Sequence, residues 1–239
     1  MAVRFDAAAD RLLRTTDLLD YNAAYTKMAW IYLTSDLDAI SVFFTQNDNS
    51  ANNLDQLMTS PTGTLLQIRV VVGGAATNTN GSTVSTGTWY HVALVRESVT
   101  SLKLYFDAVL DSTNTRDVTG RAASSRMEHG ARSSGNNNRY DGRVYAIKYW
   151  SAALTLAEIA NERPYIWPRR FANLYECWPC LAGATERLRG YVKGRNWTES
   201  GTLTDEAPPS VAWGIAPQFP QLTPAAAAAG NPWYAYAQM

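Results

Sequence analysis

Residues 86–96, TGTWYHVALVR, and residues 102–110, LKLYFDAVL, decide the fold class predicted for this chain. Both stretches are rich in the β-branched and aromatic residues that favour strands. In the second, apolar Leu102, Leu104 and Phe106 alternate with more polar neighbours. A period of two places one face of a strand in the core and the other in water. These stretches predict antiparallel strands of an all-β protein.

Further runs of similar composition flank these two stretches. They are residues 28–33 (MAWIYL), 40–45 (ISVFFT), 65–72 (LLQIRVVV) and 143–150 (RVYAIKYW). Polar clusters that are typical of turns separate them. These clusters are residues 46–53 (QNDNSANN), 73–82 (GGAATNTNGS) and 132–142 (RSSGNNNRYDG). Short strands at this spacing predict a sandwich or a barrel.

One short helix is predicted after the last of these strands. Thr155 and Glu158 have the spacing of a capping box, ahead of Ile159 and Ala160, and Pro164 ends the run. The helix should be about two turns long.

The C-terminal third divides into two parts. Residues 164–206 contain an aromatic strand interrupted by Pro179 and a pair of short strands within residues 190–204, which we expect to pack on the first sandwich. Residues 207–239 hold six of the ten prolines and no Asp, Glu, Lys or Arg. A disordered tail is usually charged or rich in Ser and Gly. This uncharged segment carries aromatic residues instead: Trp213, Phe219, Trp233, Tyr234 and Tyr236.

Four motifs in order resemble the C-terminal half of laminin-G-like, pentraxin-related jelly rolls of the concanavalin A-like type. They are residues 86–96, 102–110, 140–150 (YDGRVYAIKYW) and 153–163 (ALTLAEIANER). Residues 3–17 are similar to the opening of that family. The resemblance implies an antiparallel jelly-roll β-sandwich over residues 1–163. It also implies that strands in residues 164–206 complete the sandwich. The composition of residues 207–239 predicts an extended C-terminal arm.

Two positions depart from the family pattern. Ala108 replaces the family's turn glycine, so this hairpin is expected to use a different turn. Tyr145 stands where the family often has an acidic calcium ligand, and a phenol is a poor ligand for a hard cation. We therefore expect neither a metal nor a cofactor.

The sequence offers no convincing catalytic constellation. Related glycan hydrolases place carboxylates on one strand as E-x-D-x-x-E, and the nearest pair here, Asp36 and Asp38, is interpreted as a solvated turn pair. The remaining reactive side chains are interpreted as structural, and they are Cys177, Cys180, His91 and His129. No enzymatic activity is predicted.

A glycan-binding surface is predicted at one loop. Asn136, Asn137 and Asn138 lie beside Tyr140 and Asp141, and amides, carboxylates and aromatic rings are the groups that bind sugars. The same residues are equally expected in a plain polar turn.

The charge balance excludes several partners. Lys plus Arg and Asp plus Glu both number 21, so no net field attracts nucleic acid or an anionic membrane. No apolar stretch of about 18 residues predicts a membrane span, and no signal peptide is recognised. The chain is expected to be made in a host cytoplasm.

Three functions remain open. The first is a non-enzymatic structural or assembly protein at the surface of a virus particle, as a head-decoration, fibre or tail component of a tailed bacteriophage. Its partners would be copies of itself or other virion proteins, held by aromatic anchors in residues 207–239. The alternative is a carbohydrate-binding, lectin-like module that binds surface glycans through a concave face with exposed Trp or Tyr. The third, a hydrolase, lacks the paired carboxylates it needs.

Overall fold

The alternating runs form strands in the computed structural model, which describes residues 1–7, 9–35, 41–50, 52–60, 64–131 and 140–210. The strands form two antiparallel sheets that enclose a common apolar core. One short helix lies outside them. The predicted all-β sandwich with a single short helix is confirmed.

The first sheet has eight strands. They are β1 (Ala2–Phe5), β3 (Tyr25–Leu33), β8 (Trp89–Ser98), β9 (Ser101–Phe106), β10 (Val109–Asn114), β12 (Gly142–Trp150), β13 (Leu174–Trp178) and β15 (Thr204–Glu206). Their order is β10-β9-β8-β3-β12-β1-β15, and β13 pairs with the part of β12 that β1 leaves free.

The second sheet has seven strands. They are β2 (Arg11–Arg14), β4 (Val42–Asn47), β5 (Leu54–Thr59), β6 (Leu65–Val72), β7 (Ala75–Thr83), β11 (Arg126–His129) and β14 (Thr198–Ser200). Their order is β14-β2-β11-β4-β5-β6-β7. Residues 73–82, predicted as a turn, are mostly strand β7. All nine residues of this polar edge strand are exposed or half-buried.

The core lies between the sheets. Val92 and Leu94 from β8 and Leu57 and Ile68 from the seven-stranded sheet belong to one large cluster of buried apolar residues. Burying a side chain of this size stabilises the fold by about 1.5–3 kcal/mol. The two sheets are therefore held together mainly by the apolar face of each.

Helix α1 (Leu156–Glu162) covers part of the outer face of the eight-stranded sheet. Thr155 caps it, with both bonds of the predicted capping box present. Ile159 packs in a second apolar cluster that includes Trp150. Lys148 Nζ donates to Glu162 Oε2 at 3.0 Å in a buried pair, which fastens the end of the helix to β12.

The last three strands join both sheets. β13 pairs with β12, β14 with β2 and β15 with β1, so both sheets gain a strand on the side of the sandwich where β1 and β2 lie. The buried carboxylate of Glu176 accepts hydrogen bonds from the backbone N–H groups of Val192, Lys193 and Arg195 at 2.6–3.0 Å. This carboxylate holds the following loop against β13.

The β9–β10 hairpin keeps a turn that favours glycine. Phe106 pairs with Val109, and the two residues between them, Asp107 and Ala108, have φ of 50° and 63°. Two central residues with positive φ define the tight turn that matches strand twist. The expected change of turn is therefore wrong, and Ala108 adopts a backbone conformation that is unfavourable for a residue with a Cβ.

Candidate functional site

The predicted glycan loop is only partly described. Asn136, Asn137 and Asn138 lie outside the described residues. Tyr140 and Asp141 are described, and both are buried, with 2% and 6% of their surface exposed. A buried ring offers no face for a sugar to stack on. The prediction that Tyr140 and Asp141 contact a glycan is therefore wrong for the structure as it stands.

Both buried side chains have structural partners instead. The Tyr140 hydroxyl donates to the carbonyl oxygen of Tyr32 at 2.8 Å and accepts from the Tyr32 N–H at 3.0 Å. Asp141 pairs with Arg4 on β1 and accepts a hydrogen bond from Ser35. These contacts fix the start of β12 against β3 and β1.

The aromatic residues predicted as assembly anchors lie outside the described residues, since all of them fall within residues 211–239. They are Trp213, Phe219, Trp233, Tyr234 and Tyr236. The predicted carboxylate pair, Asp36 and Asp38, also lies outside them.

The cysteines and histidines are structural, as interpreted. Cys177 and Cys180 are free and buried, and burial raises the pKa of Cys177 well above its usual range and that of Cys180 to about 12. Burial lowers the pKa of His129 to about 3, and His91 shifts in the same direction. Protonated thiols and neutral, enclosed imidazoles are poor nucleophiles and bases for a substrate in solvent.

A polar surface lies on the outer face of the seven-stranded sheet. Thr45, Gln56 and Arg69 lie opposite one another on β4, β5 and β6. Each adjoins a core residue in the chain, and these core residues are Phe44, Leu57 and Ile68. Because successive side chains on a strand point to opposite faces, the polar trio points away from the core.

Three more polar side chains share this face. Glu128 on β11 lies opposite Thr45, Asn47 is two residues further along β4, and Gln67 is two residues before Arg69. We call the six residues the polar face: Thr45, Asn47, Gln56, Gln67, Arg69 and Glu128. Neighbouring strands are about 4.8 Å apart, so the polar face forms a continuous patch across four strands.

The polar face is incompletely hydrogen-bonded, and all of its residues are buried except Arg69, which is half-buried. Gln56, Gln67 and Glu128 expose 0%, 5% and 1% of their surface. Within the described structure, several buried atoms of this face have no hydrogen-bond partner. They include Oε1 of Gln56, Oε1 of Gln67 and Nε of Arg69. Each such atom costs about 1–3 kcal/mol if nothing satisfies it, so this face is the candidate site among the described residues.

Charge on the polar face centres on Glu128. Its Oε1 lies 3.7 Å from Arg11 Nη1 and 3.5 Å from Arg126 Nε. Burial raises the pKa of Glu128, and the two arginines oppose this effect. The carboxylate thus sits in a low-dielectric site beside cations, where hydrogen bonds from a neutral donor are strengthened.

Aromatic side chains lie elsewhere. None of the described residues of the polar face is aromatic, whereas half-buried Trp30, Tyr32 and Trp89 lie on the outer face of the eight-stranded sheet. The rings of Tyr32 and Trp89 are 5.2 Å apart, and Trp30 Nε1 donates to the Arg163 carbonyl oxygen at 3.2 Å. We call these three residues the aromatic patch, and they form a separate surface.

Other kinds of site find little support within the described residues. No group of three or more His, Cys, Asp or Glu side chains there could hold a metal ion. No described helix is long and apolar enough to cross a membrane. The absence of calcium, with Tyr145 in the ligand position, stays a prediction.

Comparisons with solved structures identify similar folds at low sequence identity. A candidate carbohydrate-binding protein from Bacteroides ovatus has a TM-score of 0.62 and 16% identity over 85% of this chain, which spans 59% of that protein. A heptameric SAP-like pentraxin from Limulus polyphemus has a TM-score of 0.57 and 14% identity, covering 84% of this chain and 92% of its own. The IT-sialidase CBM40 of Ruminococcus gnavus, bound to alpha2,3 sialyllactose, has a TM-score of 0.52 and 14% identity, covering 67% and 95%.

Sequence comparison identifies the family. No curated protein matches the sequence. Residues 6–160, however, match a laminin-G family described as the concanavalin A-like lectin/glucanases superfamily, and this match spans most of the sandwich. The shared motifs, the two antiparallel sheets and this match agree. The chain belongs to the concanavalin A-like lectin/glucanases superfamily.

Proposed function

We propose that this protein binds carbohydrate through the polar face of its seven-stranded sheet, once this buried face is uncovered, and does not cleave it. The supporting observation is the pair of buried amide oxygens, on Gln56 and Gln67, without hydrogen-bond donors. Similar folds in a candidate carbohydrate-binding protein and in a module bound to sialyllactose agree with this proposal.

The chemistry of the polar face suits sugar hydroxyls. Each hydroxyl can donate one hydrogen bond and accept two. The free oxygens of Gln56 and Gln67 need donors, while Nε of Arg69 needs an acceptor. Side chains two residues apart on one strand are about 7 Å apart, and those on adjacent strands about 5 Å, so one saccharide can contact several of them. The ligand would be held by hydrogen bonds rather than by aromatic stacking.

Binding without hydrolysis is proposed because glycoside hydrolysis requires two carboxyl groups beside the scissile bond. Among the described residues of the polar face, Glu128 alone carries one. Its raised pKa and its arginine neighbours favour a role in holding hydroxyls.

The test is a screen of oligosaccharides by glycan array, followed by calorimetry on the strongest ligand. We expect Gln56→Ala to weaken binding at least tenfold. Trp89→Ala, on the aromatic patch, is the matched control and should leave affinity unchanged, and circular dichroism verifies that both variants fold. Loss of binding in the control with retention in the Gln56 variant would place the site on the aromatic patch and refute the proposal.

The virion hypothesis has weaker support. None of the structural or family matches described above concerns a virus, and the aromatic anchors on which the hypothesis depends lie outside the described residues. A location at a virion surface and assembly with other virion proteins therefore stay predictions, and the carbohydrate-binding alternative is preferred.

A further inference from the structure

The polar face reaches an exposed edge of the seven-stranded sheet. Asn78 and Asn80 on β7 lie directly opposite Arg69 and Gln67 on β6. Directly opposed residues share one face of a sheet, so the two asparagines extend the polar face by one strand. Both asparagines are exposed, Arg69 is half-buried and Gln67 is buried. We call Gln67, Arg69, Asn78 and Asn80 the edge cluster, and solvent reaches three of its four residues.

Arg69 is a cation without a countercharge. The residues directly opposite it and two positions along its own strand are Gln56, Asn78, Gln67 and Val71, and the four diagonal positions are likewise uncharged. No carboxylate pairs with Arg69 among the described residues, and its buried Nε has no hydrogen-bond partner. Glu128 is three strands away, about 14 Å across the sheet. Salt screens exposed charges beyond about 8 Å, so Glu128 does not neutralise Arg69.

Several other half-buried arginines have a carboxylate partner. Arg163 pairs with Asp107 and Arg195 with Asp17. A guanidinium group pairs strongly with an anion because its planar fork donates two parallel hydrogen bonds. Arg69 presents the same fork at the edge of the polar face without such a partner. The edge cluster therefore has the charge that an anionic ligand requires.

The amide groups beside Arg69 supply both donors and an acceptor. Gln67 Nε2 donates to Asn80 Oδ1 at 2.7 Å. This bond leaves Asn80 Nδ2 as a donor and Gln67 Oε1 as an acceptor. Gln67 exposes 5% of its surface, and its Oε1 has no hydrogen-bond partner within the described structure. Sulfate alone carries no donor for this oxygen, whereas a sugar hydroxyl does, so the edge cluster suits a ligand with both an anionic group and hydroxyl groups.

We propose that the edge cluster binds the anionic group of an acidic saccharide, with Arg69 as its countercharge. The carboxylate or sulfate of one sugar unit accepts two hydrogen bonds from the guanidinium group. Hydroxyl groups of the same unit donate to Gln67 Oε1 and accept from the amides of Asn78 and Asn80. These four side chains lie within about 7 Å of one another along the strands, which one saccharide can span. The inference rests on the proposed function, because it names the class of saccharide that the polar face selects.

Calorimetry of the full-length protein with three related ligands tests this selectivity. They are an oligosaccharide of hexuronate units, the same oligosaccharide with its carboxyl groups reduced to alcohols, and a sulfated neutral oligosaccharide. We expect the hexuronate or the sulfated ligand to bind at least about tenfold more tightly than the reduced one, and the tighter of the two identifies the anionic group. This affinity should fall as the salt concentration rises, because screening weakens the pairing with Arg69. Equal affinity for all three ligands would overturn the inference.

Removing the charge of Arg69 should remove the preference for the acidic ligand. Arg69→Gln should bind the acidic and the reduced oligosaccharide with similar affinity. Arg116→Gln is the matched control, since Arg116 is also half-buried with an unpaired Nε but lies between β10 and β11, away from the polar face. The control should keep the preference, and circular dichroism verifies that both variants fold. Equal loss of the preference in both variants would show an effect of net charge alone and would overturn the inference.

A substitution on β7 tests the role of Arg69 without removing it. Asn78→Asp places a carboxylate directly opposite Arg69, where it should occupy the guanidinium group. We expect this exposed change to weaken binding of the acidic ligand at least about tenfold. Asn78→Ala, which removes one exposed amide, should weaken it less than about threefold. Equal effects of the two substitutions would show that Arg69 does not contact the ligand.

The Gln56→Ala variant separates this inference from the proposed function. If acidic ligands lose affinity in Arg69→Gln but keep it in Gln56→Ala, the edge cluster is supported and binding through the buried part of the polar face fails. If acidic and reduced ligands bind equally and Gln56→Ala weakens both, the edge cluster fails and the proposed function stands. If the unaltered protein binds no oligosaccharide, both fail.

Discussion

A buried charge cluster between the sheets gives the sharpest test of the fold. Asp55 on β5 points into the core, where its carboxylate is fully enclosed. It accepts hydrogen bonds from Arg96 on β8 at 2.8 Å, from Arg121 at 2.6 Å and from the Tyr25 hydroxyl at 2.8 Å. Asp55 thus joins one sheet to two residues of the other and to the segment between β10 and β11.

Replacing Asp55 with Asn removes the countercharge and leaves nearly all the volume. Burial alone would raise the pKa of Asp55, but Arg96 and Arg121 hold it below its usual range, so the folded state contains the carboxylate. Without it, two buried guanidinium groups face each other with no anion. Removing one partner of a buried pair costs about 3–5 kcal/mol. Because total stabilities are about 5–15 kcal/mol, Asp55→Asn should leave the protein marginally stable.

Urea unfolding followed by fluorescence measures this loss. With a slope of about 2–3 kcal/mol/M, the midpoint should fall by about 1–2 M. Asp6→Asn, an exposed position, is the matched control and should change stability by less than about 0.5 kcal/mol. The lowered pKa also sets a pH window: the contribution of Asp55 is present above the unfolded-state pKa and is lost as the pH falls through the folded-state pKa. Exposed ion pairs contribute up to about 1 kcal/mol to stability. A loss of unfolding free energy below that value for Asp55→Asn would therefore show that the buried cluster contributes no more than an exposed pair, and would refute the reasoning.

Four further outcomes are expected. Ala108→Gly should raise stability by about 1 kcal/mol, because φ at this position is 63°, and an unchanged melting temperature would argue against strain in the turn. Glu128→Gln should stabilise the protein near neutral pH and have little effect in acid. The pKa of Glu128 is raised in the folded state, so the ionised carboxylate costs stability once the pH rises above the unfolded-state pKa. Melting temperatures at both pH values measure this difference, and an equal effect of the substitution at the two pH values would contradict the prediction. Trp150→Ala should lower the free energy of unfolding in urea by about 3–5 kcal/mol, because the side chain is fully buried. A small loss would contradict this and would show that neighbouring side chains fill the cavity. Excess chelator should leave the melting temperature unchanged, whereas a drop of several degrees would reveal a metal site.

Local pattern predicted the elements whose two faces differ most. Residues 89–96 fall in strand β8 and residues 102–106 in strand β9, and the capping box marks the N-terminus of helix α1. These features depend on neighbouring residues alone. Strand β5 was missed because its alternation is inverted: Asp55 points into the core, while Leu54 and Met58 lie on the outer face. A charged residue in the core is explained only by Arg96 and Arg121, which are distant in sequence.

The site was less predictable than the fold. Tyr140 was expected in an exposed loop, but the rings of Phe5 and Phe43, 5.5 Å and 5.0 Å away, enclose it. Nothing in the order of residues reveals that contact. The polar face had one visible signal, since Gln67 and Arg69 interrupt an otherwise apolar run in residues 65–72. Their neighbours across the sheet became apparent only from the pairing of β6 with β5 and β7.

The polar face also explains why the outer side of this sheet differs from an ordinary solvated one. On a solvated face, water would satisfy Gln56, Gln67 and Glu128, and polar side chains would stabilise nothing and cost nothing. On a face meant to be covered permanently, apolar residues would avoid the penalty of about 1–3 kcal/mol for each unpaired atom. Here an apolar margin surrounds a polar centre, and both are buried. This arrangement sets the outer side of the seven-stranded sheet apart from both of these cases.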